Sequence, residues 1–155
     1  MSTTAPQFTA TVRTFAQLLS STRRGARLAR LLAAEQLRAW DVSPDVIERA
    51  EQIVAELAAN AALHGSVRGR DFRLALTLDT ETGILRIAVT DARGDQLPSP
   101  CTDSGDALVG ESGRGLLLVA TLADRWGTDP YPPAGKTVWA ECDAKAPASS
   151  PVATR

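Results

Sequence analysis

Two alternating segments between residues 72 and 89 constrain the fold of this chain more than any other feature. Residues 72–78 place a large apolar side chain at every second position, and residues 84–89 repeat the pattern after the turn residues Thr82 and Gly83. Alternation with a period of two is typical of a β-strand that buries one face, and the short connection predicts a β-hairpin. We expect helices to cover the buried face of the resulting sheet.

Two helical segments precede the hairpin. The hydroxyl residues 20–22 offer N-caps for a first helix that runs to about Trp40. Ser43 followed by Pro44 predicts the start of a second helix, and Gly65 is its natural end. Apolar residues recur along the second helix at intervals of three and four, which is the spacing of a buried stripe.

The remaining segments complete the expected order of elements. Residues 11–19 carry β-branched and aromatic side chains and predict a first strand. From residue 91 to 113 the chain is rich in Gly, Pro, Asp and Ser, and a loop of this length inside a compact domain is more often a functional lid than a filler. A short apolar helix from Gly115 to about Asp124 and a last strand at residues 137–142 follow.

Length and composition predict one cytoplasmic domain. The chain has 155 residues, of which 44% are hydrophobic, and a formal net charge of -1, so neither a nucleic-acid surface nor a membrane span is expected. We expect a single domain at residues 11–144, with a lid at about 95–112 and disordered tails at 1–10 and 145–155. The N-terminus has no signal-peptide layout.

The cysteine and histidine content predicts neither a metal cluster nor a hydrolase. Cys101 and Cys142 are too few and too far apart for a cluster and are interpreted as ordinary thiols. His64 is the only histidine and lies at the expected end of the second helix, where an imidazole most often caps carbonyl groups. No nucleophile-elbow motif supports a catalytic triad built on it.

Glu56 and Asn60 are the first candidate site residues. They lie four positions apart on the second helix and therefore share one side of it, beside the apolar stripe. Their oxygen atoms suit Mg²⁺, and a carboxylate at this place can accept a proton from a hydroxyl group that attacks a phosphate. The spacing alone favours a partly exposed polar pair on an amphipathic helix, because such pairs are common.

Asp91 and Gly94 form a second candidate region. Asp91 follows the strand that ends at Thr90, so its carboxylate should emerge where the sheet meets the long loop. It can accept a hydrogen bond from an exocyclic amine such as that of adenine, and Gly94 would let the backbone approach a flat ring. A strand-terminating turn is the alternative interpretation.

The glycine run at residues 110–115 opens into an apolar helix and is the third candidate region. Backbone N–H groups at the start of a helix, together with the helix dipole, form an anion site, to which Arg114 adds charge. The spacing is neither that of a Walker A loop nor that of the dinucleotide fingerprint. A flexible connector would show the same composition.

The order of these three regions resembles one family. The sequence is similar to the ATP-binding superfamily shared by gyrase and histidine kinases, the Bergerat fold, and especially to its stand-alone anti-sigma-factor serine kinases. The resemblance covers residues 12–142 and rests on E-L-A-A-N at 56–60, D-A-R-G at 91–94, G-E-S-G-R-G-L at 110–116 and K-T-V at 136–138. It implies an α+β fold: a two-layer sandwich whose mixed, mostly antiparallel sheet is covered on one face by about three helices.

The resemblance also implies roles for single residues. Asn60 would coordinate Mg²⁺, Glu56 would act as general base, and Asp91, supported by Gly94 and Thr137, would hold the adenine amine. The third box would surround the phosphates of ATP, and its matching residues are Gly110, Gly113, Arg114, Gly115 and Leu116.

The function that the resemblance implies is a regulatory kinase. Such a protein transfers the γ-phosphate of ATP to a serine or threonine of an antagonist protein, binds a sigma factor, and often forms a homodimer. The second box departs from the usual D-x-G-x-G, because Arg93 stands at its first glycine position. A non-catalytic module in which ATP only orders the lid, or a member that no longer binds nucleotide, therefore stays open as an alternative.

Overall fold

A computed structural model describes residues 12–63, 70–92 and 111–144 of the chain. The elements in chain order are β1 (Val12–Ser20), α1 (Arg23–Ala39), α2 (Pro44–Leu63), β2 (Asp71–Asp79), β3 (Ile84–Asp91), α3 (Glu111–Leu122), β4 (Arg125–Tyr131) and β5 (Gly135–Asp143). The two tails, the body of the predicted lid and the expected helix end at Gly65 lie outside the described residues, as do His64, Arg93 and Cys101.

The two long helices begin where the sequence predicts. Thr22 is the N-cap of α1, and its hydroxyl oxygen accepts a hydrogen bond from the backbone N–H of Gly25 at 3.0 Å. Pro44 is the first residue of α2, a position where the N–H group that proline lacks would have no partner in the helix. Both starts are fixed by local chemistry, which explains why the sequence reveals them.

The five strands form one sheet in the order β1-β2-β3-β5-β4. All four pairings between the described strands are antiparallel, so this part of the sheet is wholly rather than mostly antiparallel. Alternate residues of β2 and β3 are fully buried, among them Phe72, Leu76 and Ile87, and they pack against apolar side chains of α2 such as Ile53 and Leu57. The predicted two-layer α+β sandwich with three helices is thereby confirmed.

Strand β4 is absent from the sequence-based prediction. Its residues Arg125–Tyr131 include a glycine and a proline, which both weaken a strand signal. The strand lies at the sheet edge, where Pro130 is tolerated. Gly127 faces the ring of Trp139, and a Cβ atom at that position would lie 2.7 Å from the ring. Glycine is thus required there by packing on the neighbouring strand, which no local pattern reveals.

Helix α3 begins at Glu111, four residues before the predicted start at Gly115. The first four N–H groups of a helix have no partner within it, so glycine and serine are tolerated in the first turn. Residues 111–115 therefore form the first turn of α3 instead of a loop in front of it. Among the described helices, none has the length and apolar character that a membrane span requires.

Candidate functional site

The central feature of the candidate site is a close contact between α2 and α3. Glu56 of α2 is half-buried, and a Cβ atom added to Gly115 of α3 would lie 2.5 Å from the Oε2 atom of its carboxylate. Any side chain larger than hydrogen at position 115 would displace this carboxylate. The structure thus brings the first and third sequence boxes together, and glycine at position 115 lets α3 approach α2 without displacing the Glu56 carboxylate.

Asn60 lies one helical turn beyond Glu56 on α2 and is also half-buried. Within the described part of the chain, neither side chain makes a hydrogen bond or an ion pair. The two oxygen-bearing side chains lie on the same side of the helix. The predicted site pair and the alternative of a partly exposed polar pair both have this degree of burial, so burial does not favour one over the other.

The C-terminal end of α3 is fixed to α2 by Arg49. Its Nε atom donates to the backbone oxygen of Leu122 at 2.9 Å, and its Nη2 atom lies 3.3 Å from the Oδ2 atom of Asp124. That carboxylate also accepts a hydrogen bond of 2.7 Å from the backbone N–H of Asp143. This bond to Asp143 is the main cause that lowers the pKa of Asp124, and Arg49 adds to it against the effect of burial. Arg49 thus holds the position of α3 beside Glu56.

Asp91 is buried at the end of β3 and is paired with Lys136 of β5. The Lys136 Nζ atom lies 3.1 Å from Oδ2 and 3.2 Å from Oδ1 of Asp91, and the two residues stand opposite each other in the strand register. Their exposed fractions are only 6% and 5%. Asp91 is the last residue of the strand, not the first residue after it, so its carboxylate is held on the helix-covered face.

Thr137 lies on the opposite face of the sheet. Its hydroxyl group is hydrogen-bonded to that of Thr90 at 2.8 Å, and both are half-buried. Because side chains alternate along a strand, residues 90 and 137 face away from the helices while residues 91 and 136 face towards them. The structure therefore does not bring the Thr137 side chain together with Asp91, and Lys136 occupies the neighbouring place instead.

The structure says less about the remaining predicted site residues, which belong to the second and third boxes. Gly113 and Arg114 belong to the first turn of α3, and Leu116 is 2% exposed, so its side chain packs inside the fold. Gly94 and Gly110 lie outside the described residues. The roles of these five residues in binding ATP stay predictions.

Lys136 is a residue beside the candidate site that sequence reasoning missed. The motif K-T-V drew attention to the threonine, whereas the lysine is the residue that faces Asp91. The signal that reveals it is the antiparallel register of β3 and β5, which pairs position 91 with position 136. A strand order has to be known before this register can be deduced.

A cavity of about 400 Å³ lies at the same end of the sheet but opens on the face without helices. Its walls include Asp91 and the turn between β4 and β5, together with Leu18, Arg73 and Thr90, which are neighbours across β1, β2 and β3. Neither Glu56 nor Asn60 lines it. It is therefore a separate feature from the contact between α2 and α3.

Comparisons with known proteins identify the family of the chain and agree with its fold. The model of the histidine kinase-like ATPase domain family matches residues 19–141. The fold is similar to a crystal structure of the RsbU and RsbW domains of Rv1364c from Mycobacterium tuberculosis, with a TM-score of 0.66, 18% identity and coverage of 87% of this chain. The chain spans 33% of the length of that structure. No curated protein gives a significant match. From the family match over most of its length, the chain belongs to the histidine kinase-like ATPase domain family.

Proposed function

We propose that this chain binds ATP with Mg²⁺ on the helix-covered side of the sheet and phosphorylates a serine or threonine of an antagonist protein in the cytoplasm. When the antagonist is not available, the chain holds a sigma factor. The observation that carries this proposal is the contact of Glu56 with Gly115, because it joins a candidate base to the helix that would bind phosphate. The resemblance of the three boxes to anti-sigma-factor kinases supplies the two protein partners.

The residues at this contact fit a magnesium ion. Asn60 offers a hard oxygen ligand of the kind that Mg²⁺ prefers, and Glu56 lies one turn away on α2 as the candidate base. The described residues contain no group of three or more His, Cys, Asp or Glu side chains that would form a complete metal cage. A site with few protein ligands is typical of a magnesium ion that keeps several waters and binds substrate phosphates, whose negative charge it neutralises.

Glu56 is the group that moves the proton. Its carboxylate accepts the proton of the attacking hydroxyl group, while the hydroxyl oxygen forms a bond to the γ-phosphorus and the bond from that phosphorus to the oxygen of the leaving ADP breaks. The first turn of α3 would supply N–H groups and the positive end of the helix dipole to the phosphates. Most of the rate enhancement would come from this positioning and charge stabilisation.

Replacing Glu56 tests the assignment of the base. We expect Glu56→Gln to lower transfer of labelled γ-phosphate to candidate antagonist proteins by about 100-fold or more, because the amide cannot accept the proton. The affinity for ATP, measured by calorimetry, should change only a few-fold. Glu51→Gln is the matched control, since Glu51 lies on the same helix but is paired with Arg30 and Arg38. Retained transfer in Glu56→Gln would refute the role of Glu56.

A non-catalytic, ATP-gated binding module is the second candidate function. Arg93 at a glycine position of the second box and the pairing of Asp91 with Lys136 both favour an altered nucleotide site. This module would bind ATP and capture a partner only in its presence, without forming labelled product. If calorimetry detects no binding of ATP with Mg²⁺, the chain is instead a member of the family that has lost nucleotide binding.

A further inference from the structure

We propose that Lys136 recognises the adenine ring, by donating a hydrogen bond from Nζ to ring nitrogen N1 while Asp91 accepts one from the exocyclic amine. This inference rests on the proposed function, in which the helix-covered end of β3 and β5 receives ATP. It makes Lys136 a specificity-determining residue of that site.

The first argument is the depth at which the ion pair lies. Asp91 and Lys136 are 6% and 5% exposed, so two full charges are withdrawn from water. The desolvation penalty of such a pair can exceed the attraction between its members, and an apolar pair of similar volume often serves stability at least as well. A requirement for stability alone therefore does not explain an aspartate and a lysine at these positions.

The second argument is the place of the pair in the sheet. On the helix-covered face, the preceding cross-strand pairs of β3 and β5 are apolar and buried: Val89 with Val138, Ile87 with Ala140 and Leu85 with Cys142. Asp91 and Lys136 form the next step of the same row, at the end where the second box begins. The cross-strand pairs of β3 and β5 thus change from apolar to ionic in the region where we expect the base of the nucleotide.

The third argument is chemical complementarity. On its Watson–Crick edge, adenine presents the N–H donor of its amine next to the acceptor N1. Asp91 supplies an acceptor, and Lys136 supplies a donor about one hydrogen-bond length away, at 3.1 Å. An ammonium group has three donors and a carboxylate several acceptor positions, so a ring edge can replace one of the bonds that these two groups make. A carboxylate alone would bind only the amine, because it has no hydrogen to donate to N1.

The test compares ATP with two analogues by calorimetry in the presence of Mg²⁺. One analogue carries C–H in place of N1, and the other lacks the amino group but keeps N1. We expect the wild-type chain to bind the N1-substituted analogue roughly 10- to 100-fold more weakly than ATP, as loss of a hydrogen bond to a charged donor implies. In Lys136→Met, the ratio of the dissociation constants of the N1-substituted analogue and ATP should fall to near one. The analogue without the amino group should still bind more weakly than ATP, because Asp91 accepts the hydrogen bond from that amine.

Arg86→Met is the matched control. Arg86 is a cation on β3 that faces the side without helices, where it lies over Trp139 at 4.4 Å, so its loss should leave both ratios unchanged. If Lys136→Met does not fold because the buried ion pair has lost its cation, Asp91→Asn with Lys136→Met removes both charges of the pair. That double variant should lose the preference for N1, whereas the new amide oxygen at position 91 can still accept a hydrogen bond from the amine.

Each outcome decides the inference. If wild-type chain binds ATP but does not distinguish the N1-substituted analogue, Lys136 does not read the ring, while the proposed ATP site stands. If Lys136→Met keeps the wild-type ratio, another group is the donor to N1. Tighter binding of GTP than of ATP would show that the pair reads a ring edge with a carbonyl oxygen. Failure of the wild-type chain to bind ATP would remove the proposed function itself.

Discussion

At the scale of single residues, the approach of Glu56 to Gly115 carries a stability signature that does not depend on any ligand. Alanine is better than glycine inside a helix by about 1 kcal/mol, so Gly115→Ala would stabilise α3 on propensity alone. The new Cβ atom, however, would lie 2.5 Å from the Glu56 carboxylate. The two effects oppose each other only while Glu56 is present.

We therefore expect a double-mutant cycle of Gly115→Ala with Glu56→Ala to be non-additive. Gly115→Ala should destabilise the chain, or stabilise it very little, when Glu56 is present, and should stabilise it by up to about 1 kcal/mol when Glu56 is alanine. Free energies of unfolding, measured by urea titration for the four variants of the cycle, give the coupling energy between positions 115 and 56. A matched cycle of Gly115→Ala with Glu51→Ala should be additive, because Glu51 pairs with arginines of α1. Equal coupling in both cycles would argue against the contact.

At the scale of elements, α3 depends on Arg49 for its position. The Arg49 side chain is 33% exposed and bonds both the last carbonyl group of α3 and the Asp124 carboxylate. By contrast, Arg38 pairs with Glu51 at 3.5 Å with 65% of its side chain exposed. The first contact satisfies a helix end, whereas the second is a solvated surface pair.

Replacing each arginine with methionine, which keeps an apolar stem, should separate these two kinds of contact. We expect Arg49→Met to lower the free energy of unfolding by about 1 to 3 kcal/mol, because the Leu122 carbonyl loses its charged donor. Arg38→Met should cost less than about 1 kcal/mol. Amide hydrogen exchange in α3 should become faster in Arg49→Met but not in Arg38→Met. A similar small loss in both variants would mean that Arg49 does not hold α3.

The same elements show why part of this fold could be predicted and part could not. The starts of α1 and α2 depend on Thr22 and Pro44, whose effects are local and therefore visible in the sequence. Strand β4 depends on Gly127 fitting against Trp139 of the next strand, and Lys136 joins the site only through the register of β3 and β5. Contacts between segments distant in sequence decide these features, so periodicity and spacing did not reveal them.

At the scale of the whole molecule, the candidate site spans both layers of the sandwich. Glu56 and Asn60 come from α2, Gly115 from α3, and Asp91 with Lys136 from the two neighbouring strands of the sheet. A ligand that contacts all of these elements binds the folded chain and not the unfolded one. Its binding free energy is therefore added to the stability of the entire domain.

This linkage predicts a thermal shift that depends on magnesium. With ATP and Mg²⁺ at about 100 times the dissociation constant, the added stability is about 2.7 kcal/mol, which for a domain of this size raises the Tm by roughly 5 to 10 °C. Asn60→Ala should remove the dependence of this shift on Mg²⁺, because the carboxamide oxygen would be a metal ligand. Gln52→Ala, which removes an exposed amide from the same helix, should behave like the wild-type chain. If the Tm of the wild-type chain shifts equally with and without Mg²⁺, nucleotide binding does not depend on the metal. Asn60 would then not act as a metal ligand in the binding of ATP.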